Sequence, residues 1–281
     1  MNIPKLPLEE IIEQGISWVH LHLEAPFSVL IIFIGTIQSS LQEGILFVPP
    51  MVIILLLFAL ALWRIDFRTA IIIGMALLLI WDLRIWKEAM ETLSLVLVAA
   101  GFSLFFGIPI GILLAESRMA RGIVTPILDY MQTTPSFVYL IPAVLFFGLG
   151  AVPGIMATAM FATPPPVRLT ALGLTQIDQE VIEAGEAFGC NRWKLLCKIK
   201  FPLAIPSIML GINQCIMMSL SMVVITSMIG VRGLGMEIIR SLSRMDMAKG
   251  IEAGVAVVLI AVVLDRLSSG AIQVTAPKEW L

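Results

Sequence analysis

The chain has 281 residues, of which 59% are hydrophobic and 14% are charged, and its formal net charge is −2. Soluble domains carry about 25% charged residues, so this composition, with a mean hydropathy of +0.99, excludes an ordinary soluble domain and predicts a membrane protein. The nearly balanced charge also argues against a nucleic-acid partner, which would require a dense cluster of Lys and Arg.

The N-terminal region contains two amphipathic segments. In 8–22, apolar residues recur at helical spacing opposite three glutamates, a pattern typical of a helix that lies in the membrane interface. The segment 27–46 is apolar enough to span or re-enter the membrane, but its polar residues Gln38, Gln42 and Glu43 favour a surface position. We therefore expect an interfacial N-terminal region.

Long apolar segments follow. A helix needs about 20 apolar residues to cross a bilayer core, and about 17 suffice. By that measure the sequence predicts an all-α, polytopic membrane protein with about seven transmembrane helices after the amphipathic helices, at roughly 49–63, 69–83, 91–115, 136–150, 153–173, 204–229 and 251–268.

Charged residues are concentrated between two of these spans. None occurs from Tyr130 to Val167 or from Phe201 to Val231, whereas 178–202 is densely charged. The four cations in the second half of this block predict that it faces the cytoplasm. Because this charged block separates two apolar spans, it is a candidate for a functional role.

The spans themselves lack a source of energy. The third to sixth predicted spans contain no Asp, Glu, Lys or Arg except Glu91 and Arg168, which lie at or near span ends, so they offer no ligand for a coupling ion in mid-span. The chain also has no phosphate-binding G-x-x-x-x-G-K-[ST] motif, no catalytic group at a span end and no metal-ligand spacing of Cys and His. Uphill transport would therefore need an energising partner subunit, and a self-sufficient channel or ion-coupled carrier remains the alternative.

The charged block predicts a helix, a turn and a second helix. Asp178 is placed to cap the first helix, and Gly189 to end it in the left-handed conformation. Asn191 is placed to cap a second helix that runs through Lys200, and Pro202 is expected to break it.

One face of the first helix predicts a docking surface. Ala184 and Gly185 are small and lie beside Phe188, so a groove on a partner could accept this helix. From the residues alone, an ordinary solvated loop is an equal alternative.

The block also resembles a known motif. The block resembles the "EAA" loop of bacterial ABC-importer permeases, whose pattern is Glu-Ala-Ala, three residues, Gly, nine residues and Ile-x-Leu-Pro. In this chain Glu183, Ala184 and Gly185 are followed after three residues by Gly189, and after nine more by Ile199-x-x-Pro202. The sequence departs from the pattern where Gly185 replaces the second Ala and where Phe201 replaces Leu. The resemblance assigns ATPase coupling to Glu183, Ala184, Gly185, Phe188, Gly189, Ile199 and Pro202.

The resemblance extends over about 89–268. This region resembles the permease subunits of glycine-betaine/proline importers in the segments "LDYMQTTPSFVYLIPAVLFFGLGAVPG", "PPPVRLTALG" and "NQCIMMSLSMVVITSMIGVRGLG". It implies a type I ABC-importer permease fold in the bacterial cytoplasmic (inner) membrane. It also implies partners: a second copy of the chain, two cytoplasmic ATPases that bind the ATP and Mg, and an extracytoplasmic binding protein. This chain would then be neither an enzyme nor a cofactor carrier.

The implied solute is glycine betaine or a related quaternary-ammonium or proline-type compatible solute, with choline or methionine as alternative cargo. On this basis we expect an N-terminal interfacial segment at 1–48 and two additional transmembrane helices at 49–88. The importer core follows at 89–268, with its coupling loop at 178–202, and a short C-terminal tail occupies 269–281.

Several polar and aromatic residues are candidates for the solute path. They precede or lie within predicted spans, where a polar group should face protein or a cavity, and the aromatic rings could contact a quaternary ammonium. The alternatives are a helix cap at Thr134 before Pro135 and hydrogen bonds between helices in the sixth span. The candidates are Gln132, Thr133, Thr134, Phe137, Tyr139, Asn213 and Gln214.

Overall fold

The computed structural model describes the backbone of residues 8–275 and the side chains of residues 25–270. Every regular element in this part of the chain is helical. The α-helices are α1 Leu8–Phe47, α2 Pro50–Arg64, α3 Phe67–Asp82, α4 Trp86–Glu116, α5 Arg118–Thr133, α6 Leu140–Phe147, α7 Ala151–Ala162, α8 Pro164–Thr175, α9 Gln179–Ala187, α10 Arg192–Leu195, α11 Phe201–Ser227, α12 Leu234–Ser243 and α13 Met247–Thr275, with a 3-10 turn at Ser136–Tyr139 and a π-helical turn at Leu196–Lys200.

Helices α4, α8 and α11 form the centre of the bundle, and glycines allow them to approach closely. A Cβ atom on Gly111 of α4 would lie 2.6 Å from the Thr170 Cβ of α8, and one on Gly211 of α11 would lie 3.0 Å from the Pro166 Cα. The separation at 111 is too short for any real side chain, so that position requires glycine, whereas at 211 a side chain would force the α8 backbone to shift slightly. Close backbone approach then supplies the packing that helices within a bilayer depend on.

The two ends of the bundle are distinct. At the inner end, defined here as the end that carries the charged block, Lys200 Nζ pairs with Glu116 Oε1 of α4 at 2.7 Å. At the opposite, outer end, the Leu234 amide at the start of α12 donates to Thr92 Oγ1 at 2.9 Å. Helices α4 and α11 therefore run the full length of the bundle between these ends.

The predicted spans coincide with helical segments, but two of them are divided, and the span 136–150 is the 3-10 turn Ser136–Tyr139 followed by α6. The predicted span 153–173 is two helices, α7 and α8, joined at Thr163. Three prolines at 164–166 follow this junction, and the missing proline N–H groups prevent a continuous helical ladder there.

By length and composition, four helical segments among the described residues are long and apolar enough to cross a membrane: Ala25–Phe47, Trp86–Glu116, Arg192–Ser227 and Met247–Gly270. Pro50–Arg64 and Ser136–Phe147 are shorter apolar segments. The all-α membrane fold is thus confirmed, whereas the count of seven crossings stays a prediction.

The N-terminal region differs from expectation because a single helix, α1, replaces the two predicted segments. It continues through Pro26, which lies inside it. The apolar face expected for 8–22 lies outside the described side chains. In the later part, Gln38 is buried and its Nε2 donates to Ser94 Oγ of α4 at 2.9 Å, so its polarity serves a helix contact rather than water. Whether 27–46 lies on the membrane or crosses it stays a prediction.

Helix α5 was not predicted at all. It fills the interval between the third and fourth predicted spans, and it contains Pro126. The apolar residues Leu128, Val124 and Met131 pack towards α4 and α8, whereas Met119, Ile123 and Ile127 are exposed. Its mixed polar and apolar character hid it from a search for uniformly apolar spans. The C-terminal tail predicted for 269–281 lies largely outside the described residues.

Candidate coupling segment and solute path

The first half of the charged block forms the predicted helix and glycine turn, but the predicted side-chain cap at Asp178 is wrong. Helix α9 begins after Asp178, whose side chain makes no capping hydrogen bond, and Gly189 follows it with φ +80°. The amide of Cys190 donates to the Gly185 carbonyl at 3.1 Å, and the amide of Gly189 donates to the Glu186 carbonyl at 2.9 Å. These bonds satisfy carbonyls at the helix end and need a left-handed residue at 189.

The outward face of α9 is open. Glu183 and Ala184 are exposed, and Phe188 is 90% exposed at the end of the helix. An aromatic side chain this exposed buries almost none of its apolar area within its own chain. The face therefore has the small centre and apolar edge expected of a surface that a partner covers.

Gly185 does not belong to that face. It is buried, and a Cβ atom there would lie 2.6 Å from Ile199 Cδ1 and 2.8 Å from Leu195 Cδ1. The interpretation of Gly185 as part of the exposed docking surface is thus wrong. Its missing side chain lets α9 pack against the second half of the block, and Ile199 contributes from that side as a packing residue.

The second half of the block departs from the prediction at Pro202. Asn191 Oδ1 accepts the Lys194 amide at 2.8 Å, so the predicted cap is confirmed. However, the expected break at Pro202 is wrong, because α10 continues through the π-helical turn directly into α11. Pro202 lies in the first turn of α11, directly after the π-helical turn, where the helical ladder is already altered.

The block is joined to the bundle as well as exposed to solvent. Lys200, whose side chain is 16% exposed, pairs with Glu116 at the inner end of α4, and Leu195 is buried beneath α9. Trp193, which sequence reasoning overlooked, is 71% exposed on α10. An exposed tryptophan close to an exposed phenylalanine was a signal available in the sequence. The exposed surface is therefore connected to α4 by the ion pair and to α11 by the continuous helix.

The predicted solute-path residues divide into two groups. Gln132, Thr133, Phe137 and Gln214 have exposed side chains, although the Thr133 hydroxyl also donates to the carbonyls of Asp129 and Tyr130 at 3.1 Å. The remaining three are engaged within the chain. Tyr139 is buried and its hydroxyl donates to the Met131 carbonyl.

Thr134 and Asn213 make local or interhelical bonds. Thr134 is the C-cap of α5 rather than a helix start, and its Oγ1 donates to the Tyr130 carbonyl at 2.8 Å. Asn213 Nδ2 donates to Asp265 Oδ1 at 2.9 Å, and Asn213 Oδ1 accepts from Ser268 Oγ at 2.9 Å. Asn213 therefore links α11 to α13, which is the helix-contact alternative.

An ion pair that sequence reasoning did not assign lies between α5 and α8. Arg168 Nη2 donates to Asp129 Oδ1, with 38% and 60% of the respective side chains exposed. Between Arg121 and Asp178 these are the only charged residues in the sequence. The buried Arg168 Nε has no hydrogen-bond partner among the described residues. Among the described side chains, no group of three or more His, Cys, Asp or Glu could hold a metal ion.

Comparisons with known proteins agree with this architecture. Residues 107–278 match the family described as binding-protein-dependent transport system inner membrane component. A glycine betaine/carnitine transport permease protein of Listeria monocytogenes serotype 1/2a (strain 10403S) is 44% identical over 271 residues, which cover 95% of this chain and 96% of that protein. A glycine betaine/proline betaine transport system permease protein of Escherichia coli (strain K12) is 43% identical over 264 residues, covering 94% of this chain and 74% of that protein.

The fold is also similar to that of a solved structure. An inward-facing MetNI methionine ABC transporter chain superposes with a TM-score of 0.61 at 20% identity, covering 66% of this chain and 94% of that chain. At this identity the likeness concerns the fold alone.

Proposed function

Because the chain belongs to the family of binding-protein-dependent transport system inner membrane components, we propose that it is the permease subunit of an ATP-driven importer for glycine betaine or a related zwitterion with a quaternary ammonium group. Two relatives that are 44% and 43% identical, named for glycine betaine with carnitine or proline betaine, support this cargo. The protein lies in the inner membrane and contributes several apolar helices to the transport path.

The proposed assembly contains two copies of this chain, two cytoplasmic ATPases and an extracytoplasmic binding protein. The observation that carries the proposal is the exposed face of α9, with Phe188 90% exposed at its end. In this assembly the ATPase covers that face. Closure of the ATPase dimer moves α9, and the pair Lys200–Glu116 passes the motion to α4. ATP and Mg bind to the partner and not to this chain.

Reconstitution tests the proposal. Proteoliposomes that contain the permease, the ATPase and the binding protein should accumulate radiolabelled glycine betaine only when ATP is supplied, and carnitine and proline betaine should compete. The permease alone should neither hydrolyse ATP nor accumulate solute. Uptake by the permease alone would instead identify a self-sufficient channel or carrier.

The docking surface is tested separately. Phe188→Ser removes an apolar ring that makes little contact within its own chain, so the thermal stability of the permease should not change. Co-purification with the ATPase should fall because the apolar edge of the docking face is lost. Phe105→Ser is the matched control, since Phe105 is 72% exposed on α4 and remote from the block. Equal co-purification of Phe188→Ser and wild type would contradict docking at this face.

A further inference from the structure

The Asp129–Arg168 pair lies within the helical bundle, about one to three helical turns from its inner end. Arg168 falls on α8 between Pro166, which contacts Gly107 of α4, and Thr170, which contacts Gly111. At 1.5 Å per residue, these two levels are about 7–14 Å before Glu116, the inner end of α4. The pair is therefore inside the bundle and not in the charged block beyond it.

The exposure of this pair restricts what it faces. Charged side chains are costly in lipid, so within a span they face a water-filled cavity or another protein chain. Both members are partly exposed, at 38% for Arg168 and 60% for Asp129. The open side of the pair must therefore be covered by water, solute or protein.

The faces of α5 distinguish these possibilities. Successive residues of an α-helix are about 100° apart, so Asp129 shares a polar face with Thr125 and Gln132, whereas the exposed Ile123 and Ile127 form a separate apolar face. The apolar face suits lipid or a second subunit. The polar face, which carries the ion pair, suits a path for a polar solute.

The chemistry of the pair matches a zwitterion. Separating a partly buried ion pair leaves two uncompensated charges, which is strongly unfavourable. A zwitterion supplies both opposite charges together, so that each side chain exchanges one counter-charge for another. A simple cation would compensate Asp129 and leave Arg168 unpaired.

Arginine also has the geometry for a carboxylate. A guanidinium donates from two nitrogens to the two oxygens of a carboxylate in a planar arrangement. In Arg168 only Nη2 is used by Asp129, so the guanidinium keeps further N–H groups for a carboxylate. The Asp129 carboxylate supplies the opposite charge for a quaternary ammonium, which has no N–H to donate.

We propose that Asp129 and Arg168 form a solute-binding site within the permease, in which Arg168 binds the carboxylate and Asp129 attracts the quaternary ammonium of a zwitterionic solute. This inference rests on the proposed function and adds a selectivity step within the membrane. The site rejects singly charged solutes that reach it, because they leave one member of the pair uncompensated.

The experiment measures glycine betaine uptake and ATP hydrolysis in proteoliposomes that contain the complete transporter. Arg168→Gln and Asp129→Asn should each lower uptake by at least about tenfold at matched abundance, as expected for loss of a charge-assisted hydrogen bond. ATP hydrolysis stimulated by the loaded binding protein should stay within about twofold of wild type, the range of a surface substitution. Arg64→Gln is the control, because it removes a cation from α2, which packs against α3 and α13.

A charge-exchange variant distinguishes solute binding from an ion pair that only stabilises the contact between α5 and α8. Asp129→Arg combined with Arg168→Asp restores an ion pair between α5 and α8 but reverses its direction, so a zwitterion that enters in the wild-type orientation meets like charges and uptake should remain low. Arg168→Lys keeps the cation without the planar fork and should also lower uptake, by about fivefold. These two variants address the proposal independently if one of them fails to assemble.

Uptake within about twofold of wild type in either Arg168→Gln or the charge-exchange variant would overturn the site and make the pair a structural tie. Absence of ATP-dependent uptake by the wild-type complex would overturn the proposed function itself, and the inference with it. A functional wild type with inactive Arg168 and Asp129 variants supports both.

Discussion

Gly189 is the residue whose backbone conformation bears most directly on the proposed coupling to the ATPase. Its φ of +80° is readily adopted by glycine and poorly by a residue with a Cβ atom, and no other atom lies within 4 Å of where that Cβ would be. The requirement for glycine is thus conformational and not a matter of space. Gly185 shows the opposite case, since Ile199 and Leu195 occupy the space that its side chain would need.

Gly189→Val should reorient α9 relative to α10. Forcing a β-branched residue into the left-handed region costs about 1–3 kcal/mol locally, which is enough to favour another turn. Co-purification with the ATPase and uptake should both fall at normal membrane abundance. Gly44→Val is the control because its Cβ has open space and its φ is not positive. If Gly189→Val assembled and transported like wild type, the geometry of this turn would not matter for coupling.

The contact between α11 and α13 shows that helix packing determines which polar side chains face another helix. Asn213 and Gln214 are neighbours in sequence and equally polar, yet Asn213 links two helices while Gln214 is exposed. A polar group between helices in a membrane finds a partner because no water is available to it. Asn213 is therefore a helix-packing residue, and Gln214 remains a candidate for the solute path.

Asn213→Leu should destabilise the protein because it leaves Asp265 without its amide donor and removes one of the two acceptors of the Ser268 hydroxyl. The free energy of unfolding should fall by about 1 kcal/mol, the size typical of interhelical hydrogen bonds in membranes. Gln214→Leu should change it by less than about 0.5 kcal/mol. Thermal unfolding of both variants in detergent measures the difference. Equal stabilities would remove the structural role assigned to Asn213.

At the scale of the whole molecule, the two ends of the bundle have different surfaces. The inner end presents α9 and α10 with exposed Phe188 and Trp193, and the outer end presents α12, whose Arg240 pairs with Glu237 at 2.8 Å. A transporter that couples a cytoplasmic ATPase to an external binding protein needs opposite docking surfaces of this kind. The two ends of the bundle therefore differ in the way that the proposed function requires.

Thiol labelling tests this sidedness. In a chain without Cys190, Cys197 and Cys215, Lys198→Cys should react with a membrane-impermeant reagent only from the cytoplasmic side. Arg240→Cys should react only from outside, because both side chains are exposed at opposite ends. Labelling in the reverse pattern would show that the chain is inserted in the opposite orientation.

The sequence alone was sufficient for features that depend on neighbouring residues. The apolar helices, the helix before Gly189 and the cap at Asn191 follow from composition, backbone freedom and side-chain hydrogen bonds within a few positions. The docking motif was also readable, because its spacing lies within one short segment. Helix α5 escaped because its mixed faces match no uniform apolar run.

Only the tertiary structure decided which polar residues meet each other. Asn213 and Asp265 are 52 positions apart, and Asp129 and Arg168 are 39 apart, so no local pattern identifies them as partners. The burial of Gly185 likewise depends on how α9 folds back onto Leu195 and Ile199. In a membrane the partner of each polar group is chosen by helix packing, since water cannot satisfy it, and that packing is a property of the folded bundle.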